Sequence, residues 1–291
     1  KLFPTPPFDF SKSLHFAGMF TPTEDEQTIS GFTFTKAVYL ENQTLAFRLE
    51  DEGTVGEPVL SYTLFAYEKI EKETESALLD RIKFFLSLDD DLRSFYALGR
   101  EDPEFTPVLE DFYGLHQVKF LTPFEAASWA VLGQRISMKV AHIMKDRLVE
   151  AVGDVIEIDG VEYRTFPAAS QIKDLGLEKL FSLLKNRRKS EYMMAVAEAF
   201  DGVDEEFLKN GDIEEVKEWL MDIRGIGEWS AHLELIRGLG RMEELSQHDK
   251  MLFECARKVY GVEIKEEELK RISDDYGEFK GYWAYYIRTG C

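Results

Sequence analysis

A chain of 291 residues with 44% hydrophobic and 31% charged side chains is composed like an ordered globular protein, which excludes a disordered or fibrous class. No apolar run approaches the roughly 20 residues that cross a bilayer, and we expect no secretion signal in KLFPTPPFDF. The net charge of −20 argues against nucleic acid as a partner, because binding to phosphate normally relies on Lys and Arg.

The two cysteines, Cys255 and Cys291, are too few for a disulfide framework or a four-cysteine metal site. Because disulfides are rare in reducing compartments, two cysteines favour reduced thiols in a cytoplasmic protein. A chain of this length holds one large domain or two to three small ones.

The first third of the chain has the pattern of an antiparallel sheet. Apolar and polar residues alternate in short runs over residues 28–66, and turn-prone segments such as Glu41-Asn42-Gln43 separate the runs. Residues 75–87 change to helical spacing, and an acidic stretch with two prolines follows at 92–112. We therefore predict a small N-terminal sheet domain with helices over residues 1–90.

From Thr122 onward the pattern is helical almost throughout. The segment Thr122-Pro123-Phe124-Glu125 is a capping box with proline at the first helical position, and its helix is predicted to end at Gly133. A short extended piece is predicted at 155–158. Further helices are predicted at 137–152, 177–184, 188–200, 213–221, 228–237, 249–260, 266–273 and 279–288. The fold class is α+β, with a mostly helical region over residues 91–291.

The acidic residues are distributed unevenly. Residues 1–115 carry a net charge of −12 and the remaining 176 residues only −8. Basic residues cluster in that second part, at 185–189 and at Arg135, Lys139, Lys145 and Arg147. A clustered basic face can bind phosphate on an acidic molecule.

Two helices are predicted to join through a tight turn within residues 220–231. Its glycines, Gly225 and Gly227, permit positive φ and close approach of another backbone. The free amides at the start of the next helix then form an anion site that requires no lysine. Taken alone, the same residues also fit an ordinary helix–helix turn with a glycine C-cap.

Three motifs in chain order resemble one family. They are Pro6-Pro7-Phe8-Asp9-Phe10, Leu132-Gly133-Gln134-Arg135-Ile136-Ser137, and the Gly225–Ala231 hairpin, which Gln247-His248-Asp249-Lys250 follows. Together they are similar to the helix-hairpin-helix DNA glycosylase superfamily, and within it to 3-methyladenine DNA glycosylase II, the AlkA type. The resemblance extends from Pro6 to about Arg288. It implies two helical subdomains within 91–291 and an active-site cleft between them.

The resemblance makes Asp249 the catalytic residue. By itself Asp249 reads as the N-cap of the next helix, where aspartate is common. In the family, such a carboxylate stabilises the positive charge that develops on the sugar when the N-glycosidic bond breaks. Bifunctional members carry a lysine where this chain has Trp229, which implies a monofunctional enzyme. The four C-terminal cysteines of the cluster-binding relatives do not occur, so we expect no iron–sulfur cluster.

A pocket for an extruded base is implied by the same resemblance. Phe16 and Trp229 correspond to its aromatic walls, although both residues also fit core packing. Arg288 stands where the family has a second tryptophan, and it reads either as a pocket residue or as a surface residue of the last helix. An arginine there would repel a cationic base and donate to a purine O6 or N7. We therefore expect neutral lesions such as hypoxanthine among the substrates, beside 3-methyladenine.

The remaining implied contacts are with DNA. Arg135 or Ile136 would fill the gap left by the flipped base, next to Gln134. The amides of Gly225 and Gly227 and the hydroxyl of Ser230 would hold a phosphate. The backbone carbonyls of Met221, Ile223 and Ile226 would hold a monovalent cation. Arg187, Arg188 and Lys189 fit either a contact with the DNA backbone or a solvated helix start, and His248 fits either a contact with Asp249 or a loop histidine.

The sequence thus indicates a monomeric, cytoplasmic, nucleoid-associated DNA glycosylase that acts in base excision repair. Its expected partner is double-stranded DNA containing damaged purines, with no membrane partner and no cofactor beyond the hairpin cation. Two alternatives stay open, an oxidised-purine glycosylase of the same fold and a non-catalytic helix-hairpin-helix DNA-binding protein.

Overall fold

A computed structural model describes residues 1–23, 26–245 and 249–291. The N-terminal part contains helix α1 (Phe10–Met19), strands β1 (Gln27–Ser30), β2 (Thr33–Leu40), β3 (Gln43–Asp51) and β4 (Leu60–Ala66), and helix α2 (Lys72–Leu86). The rest contains α3 (Arg93–Arg100), α4 (Thr106–Asp111), α5 (Pro123–Leu132), α6 (Met138–Val152), β5 (Val155–Ile158), β6 (Val161–Arg164), α7 (Ala169–Leu175), α8 (Leu177–Leu184), α9 (Arg187–Phe200), α10 (Glu205–Asn210), α11 (Ile213–Asp222), α12 (Glu228–Leu233), α13 (Lys250–Tyr260), α14 (Glu266–Asp275) and α15 (Lys280–Thr289).

The N-terminal sheet is antiparallel in the order β1-β2-β3-β4. The β2–β3 hairpin turns at Glu41 and Asn42, whose φ angles of 50° and 58° match the right-handed twist of the strands. Phe34 pairs with Leu49, and both side chains are buried. Helices α1 and α2 contribute to the same core, with Leu14 and Leu78. The predicted sheet is confirmed.

Buried apolar side chains of the described residues form two further large clusters in the helical part. One joins α5–α12. The other joins α3 and α4 with α13, α14 and α15. The α+β fold class is confirmed, and no helix in the described residues has the length and hydropathy of a membrane span. The boundary at residue 90 stays a prediction, since Val118 and Leu121 also belong to the sheet core.

Local signals placed most of the helices correctly. Thr122 accepts a hydrogen bond from the amide of Glu125 at 3.2 Å, with Pro123 at the first helical position, which confirms the N-cap half of the predicted capping box. The carboxylate of Glu125 pairs with Lys145 instead. Helices α1, α3, α4, α7 and α10 were not predicted, and most of them are too short to show a clear period. The predicted helix 228–237 is α-helical only to Leu233 and continues as a π-helix over Glu234–Gly238.

The two cysteines are not free thiols. Cys255 in α13 and Cys291 after α15 form a disulfide with a Cα–Cα distance of 5.4 Å. The prediction of reduced cysteines is wrong for this structure. The two cysteines meet because α13 packs against α15, and nothing in a sequence separation of 36 residues indicates that packing. Since disulfides are uncommon in reducing compartments, the bridge also weakens the argument for a cytoplasmic protein.

Candidate active site

Asp249 sits at the N-terminus of α13 and faces the last helix. One carboxylate oxygen accepts a hydrogen bond from the amide of Leu252 at 3.0 Å, so the residue is the N-cap that its sequence position suggested. The other oxygen forms an ion pair with the guanidinium of Arg288 near the end of α15. The helix dipole of α13 and the arginine both stabilise negative charge on this carboxylate.

Arg288 is therefore not an isolated surface residue. Its side chain is 41% exposed and contacts Asp249 directly. Partial burial lowers the pKa of Arg288 to about 10, and the charge of Arg237 acts in the same direction. Arg288 still carries its proton at neutral pH. The structure thus brings together two of the predicted site residues.

Phe16 lies in an aromatic cluster that surrounds Arg237. The Phe16 ring stands edge-on to Tyr285, 5.0 Å between centroids, and lies 5.6 Å from the ring of Phe20. The guanidinium carbon of Arg237 is 4.9 Å from the Phe16 centroid and 4.4 Å from that of Phe20. No sequence pattern indicated Arg237, because the stretch that follows α12 has the pattern of a regular helix.

The hairpin between α11 and α12 has the close approach that its glycines predict. Gly225 has a φ of +104°, and a Cβ there would lie 2.4 Å from Cγ of Tyr192. Gly227 is different, since its backbone is extended and a Cβ would meet nothing within 4 Å. Only Gly225 is required by the fold, while the space in front of Gly227 is open.

The α5–α6 turn is fixed against this hairpin by Gln134. Its side-chain amide donates to the carbonyl of Gly225 at 2.7 Å and to the hydroxyl of Ser230 at 3.1 Å. Ser230 is buried, so its hydroxyl serves the turn. Arg135 is exposed with a φ of +56°, whereas Ile136 packs partly against the helical core. Of the two candidate plug residues, Arg135 is the one that projects from the turn.

The basic segment at the start of α9 has divided roles. Lys189 is buried and donates to the carbonyls of Val131, Leu132 and Gln134 at 2.8–2.9 Å, where burial lowers its pKa to about 8. Lys189 therefore stabilises the α5–α6 turn, and its predicted contact with DNA is wrong. Arg187 pairs with Glu178 and Glu191. The exposed Arg188 donates to the hydroxyl of Tyr192 at 2.7 Å.

A groove of about 730 Å³ runs between the hairpin and the α5–α6 turn. Trp229 is 51% exposed there. The groove is lined by residues that include Gln134, Arg135, Ile136, Arg188, Gly225, Gly227, Trp229 and Ser230. Asp249 and Phe16 are not among the described residues that line it. The structure therefore forms two groups, the groove residues and the Asp249–Arg288 pair, and α12 with its π-helical extension connects Trp229 to Arg237.

The proposed cation ligands lie within one turn at the end of α11. The carbonyl of Ile223 accepts the amide of Ile226 at 2.9 Å, which uses one of the two lone pairs of that oxygen. Met221 lies in the last turn of α11, and the cation expected on these carbonyls stays a prediction. His248 lies outside the described residues.

Comparison with known proteins gives a consistent answer, although no protein-family model matches the chain. The DNA-3-methyladenine glycosylase of Bacillus subtilis (strain 168) is 30% identical over 222 residues, which are 75% of this chain and 73% of that protein. A 3-methyladenine DNA-glycosylase from Archaeoglobus fulgidus superposes with a TM-score of 0.82 at 22% identity, covering 99% of this chain and 96% of that one.

A more distant structure shares the fold. The 8-oxoguanine glycosylase/lyase of Clostridium acetobutylicum, solved in complex with double-stranded DNA, superposes with a TM-score of 0.69 at 13% identity and covers 98% of this chain and 91% of that one. At such identities the structural likeness shows the fold alone, and the family follows from the Bacillus relative. The chain belongs to the DNA-3-methyladenine glycosylase family.

Proposed function

We propose that this protein is a monofunctional DNA glycosylase of base excision repair, which hydrolyses the N-glycosidic bond of damaged purines flipped out of double-stranded DNA. The observation that carries the proposal is the position of Asp249. Its carboxylate stands at a helix N-terminus beside Arg288. Helix α12 begins at the Gly225–Gly227 hairpin and continues as the π-helix that holds Arg237 beside the Phe16 aromatic cluster. The family of the chain and the names of its relatives support the same activity.

Asp249 would act on the sugar. Loss of the base leaves an oxocarbenium-like sugar, and a nearby carboxylate stabilises charge that exists mainly in the transition state. Because one oxygen of Asp249 is engaged by the amide of Leu252, the oxygen paired with Arg288 is the one available to the substrate. The extruded nucleotide would thus share or displace that ion pair.

Hydrolysis without strand cleavage follows from Trp229. A lyase step requires an amine at the position that Trp229 occupies, and indole has none. The amine of Lys189 lines the groove but is engaged by three carbonyls. An alkylated purine also leaves readily, so the proposed reaction needs no strong acid at the base.

DNA would bind along the groove. The amides at the start of α12 would hold one phosphate, with Gly227 giving room for close approach. Arg135 would enter the gap left by the flipped base, where a planar guanidinium can stack. A monovalent cation on the carbonyls of Met221, Ile223 and Ile226 would supply positive charge to the same phosphate. We further propose a monomer that works on chromosomal DNA in the cytoplasm, a location supported by the DNA repair relatives of the chain and not by its cysteines.

An assay on methylated duplex DNA tests the proposal. We expect breaks only after alkali treatment, which reveals abasic sites, and none with Asp249→Asn. Direct breaks without alkali would instead indicate a glycosylase/lyase. Binding with no breaks under either condition would indicate a non-catalytic DNA-binding protein and would overturn the proposal.

A further inference from the structure

The carboxylate of Asp249 is covered in this structure. One oxygen accepts the amide of Leu252 at 3.0 Å, the other pairs with Arg288, and the side chain of Asp249 is only 10% exposed. Under the proposed function the sugar must reach one of these oxygens. The bond to Leu252 belongs to the cap of α13, so Arg288 is the group that has to move. Whatever holds Arg288 in place therefore restricts access to the carboxylate.

A covalent bond joins the same two segments as this ion pair. Cys255 lies in α13, six residues after Asp249, and Cys291 lies three residues after Arg288. The Cα atoms of the two cysteines are 5.4 Å apart. The amide of Cys291 also donates to the carbonyl of Arg288 at 3.4 Å. The disulfide thus ties the backbone around Arg288 to the helix that Asp249 caps.

Most of α15 is held by its own packing and not by the disulfide. Trp283, Tyr286 and Ile287 are at most 1% exposed, and they belong to the same core as Leu252 of α13. Residues 288–291, in contrast, are exposed or half-buried. Because segments with few buried contacts open most easily, loss of the bridge should loosen this last turn and leave the rest of the helix in place.

The disulfide is accessible to thiols on one side. Cys255 is buried in the core, whereas Cys291 is an exposed residue. Exposed disulfides are the ones that thiols reduce readily and that serve regulation. The ammonium of Lys258 lies 3.1 Å from Sγ of Cys291, and a cation at this position stabilises a thiolate. Both observations favour reversible reduction of the bridge.

We infer that the Cys255–Cys291 disulfide is a redox-sensitive clamp that positions Arg288 over the carboxylate of Asp249, so that the oxidised protein excises bases more slowly than the reduced one. This inference rests on the proposed function. The reductant is a dithiol, and one of its thiolates attacks Sγ of Cys291. The S–S bond breaks, and the sulfur of Cys255 leaves as a thiolate and takes up a proton. The second thiol of the reductant then displaces the Cys291 thiolate beside Lys258, and the reductant becomes a disulfide.

Single-turnover excision from a methylated duplex tests the inference in two redox states. Oxidised glutathione forms the bridge, dithiothreitol cleaves it, and intact mass with thiol titration identifies each state. We expect reduction to raise the excision rate about 3- to 10-fold and to leave duplex affinity within about twofold. Thermal stability should fall at the same time, because a cross-link is lost. A bridge with a merely structural role would not raise the rate while stability falls.

Two variants locate the effect. Cys291→Ser cannot form the bridge, so its rate should equal that of the reduced wild type and should not respond to dithiothreitol. Arg288→Gln keeps the bridge but removes the ion pair, so its oxidised and reduced forms should excise at the same rate. Arg93→Gln is the matched control, since Arg93 pairs with Asp91 at an exposed site, and it should respond to reduction like the wild type.

The possible results separate the two claims. If the wild type excises no base in either state, the proposed function fails. If it excises bases at equal rates in both states, or more slowly after reduction, the inference alone is overturned. The same conclusion follows if oxidised glutathione leaves two free thiols, or if Arg288→Gln keeps the full response. Reduction of the wild type requires no substitution, so the test does not depend on the folding of a variant.

Discussion

The carboxylate of Asp249 offers one oxygen to helix capping and the other to its proposed catalytic role. The sequence allows two interpretations of Asp249, a helix cap and a catalytic residue, because both favour aspartate just before a helix. In the structure one oxygen caps α13 and the other faces Arg288. The two interpretations are therefore compatible, which residue type and spacing could not reveal.

The two hairpin glycines should respond differently to alanine. Gly225→Ala forces a positive φ on a residue with Cβ and an overlap with Tyr192, so we expect a loss of about 2 kcal/mol or more in the free energy of unfolding. Gly227→Ala meets no atom within 4 Å and should cost less than about 1 kcal/mol. Urea titration measures both.

Affinity for DNA completes that comparison. If a phosphate approaches Gly227, the added methyl group should weaken duplex binding at least about tenfold while stability is kept. Unchanged affinity for the Gly227→Ala variant would show that the phosphate lies elsewhere.

Residues fixed by local chemistry were predictable, and residues fixed by tertiary contacts were not. Thr122, Pro123 and Asp249 are read from their neighbours in sequence. Lys189 belongs to a basic run and was taken for a DNA contact, yet its amine reaches three carbonyls on another helix. The position of Arg237 depends on a π-turn that no sequence pattern announced.

Helix α12 links the hairpin to the segment that leads to Asp249. His232 in α12 is buried, and its ring lies 3.3 Å from the carboxylate of Glu244. The hydrogen bond that His232 donates to Glu244 raises the pKa of His232 above its usual value, and the same bond lowers the pKa of Glu244. This pair holds Glu244, in the segment that follows the π-helix, against α12.

Stability should therefore depend on pH through His232. Because its folded pKa is raised, its contribution is fully present below the unfolded value of about 6.5 and is lost as pH rises through the folded pKa. We expect His232→Gln to cost about 1 kcal/mol more at pH 6 than at pH 8.5, measured by urea unfolding. Glu244→Gln removes the other partner of the same hydrogen bond, so its cost in stability should depend on pH in the same way. An equal loss at both pH values would contradict this role.

Over the whole molecule, an acidic chain uses few cations at the groove. The net charge is −20, and the exposed cations of the groove are Arg135 and Arg188. Under the proposed function, backbone amides would take the place of lysines at the hairpin, so a negative net charge does not argue against DNA. The composition described the average surface, whereas binding depends on one face.

Duplex binding should accordingly depend only weakly on salt. Each neutralised phosphate contributes about −0.9 to the slope of log K against log salt, so two arginines predict about −2. Arg188→Gln should reduce the slope by about 1, whereas Arg93→Gln, whose ion pair with Asp91 is exposed and lies outside the groove, should not. A wild-type slope of −6 or steeper would mean that the phosphate contacts lie outside this groove.

A buried charge cluster joins the sheet part of the chain to the helical part. Lys145 of α6 has no exposed surface and contacts Glu26 at 2.5 Å and Glu125 at 2.6 Å. Burial opposes ionisation, but Lys145 and Lys36 lower the pKa of Glu26 to about 2. The sequence placed Lys145 in a basic patch for DNA, which is wrong, because the side chain is enclosed between elements distant in sequence.

Removing this lysine should destabilise the whole fold. Lys145→Met leaves two buried carboxylates with less positive charge, and we expect a loss of about 3–5 kcal/mol in the free energy of unfolding. The exposed pair Lys69–Glu71 provides the control, since Lys69→Met should cost less than about 1 kcal/mol. A comparable effect of both variants would show that the buried cluster contributes no more than a surface pair.

The most direct test of the account is the single-turnover rate of Asp249→Asn on a damaged duplex, with duplex affinity measured in parallel. Asparagine still caps α13, so fold and binding should be kept within about threefold. Loss of the carboxylate should lower the excision rate by at least about 100-fold. A variant that binds and excises like the wild type would contradict the assignment of Asp249 and the mechanism built on it.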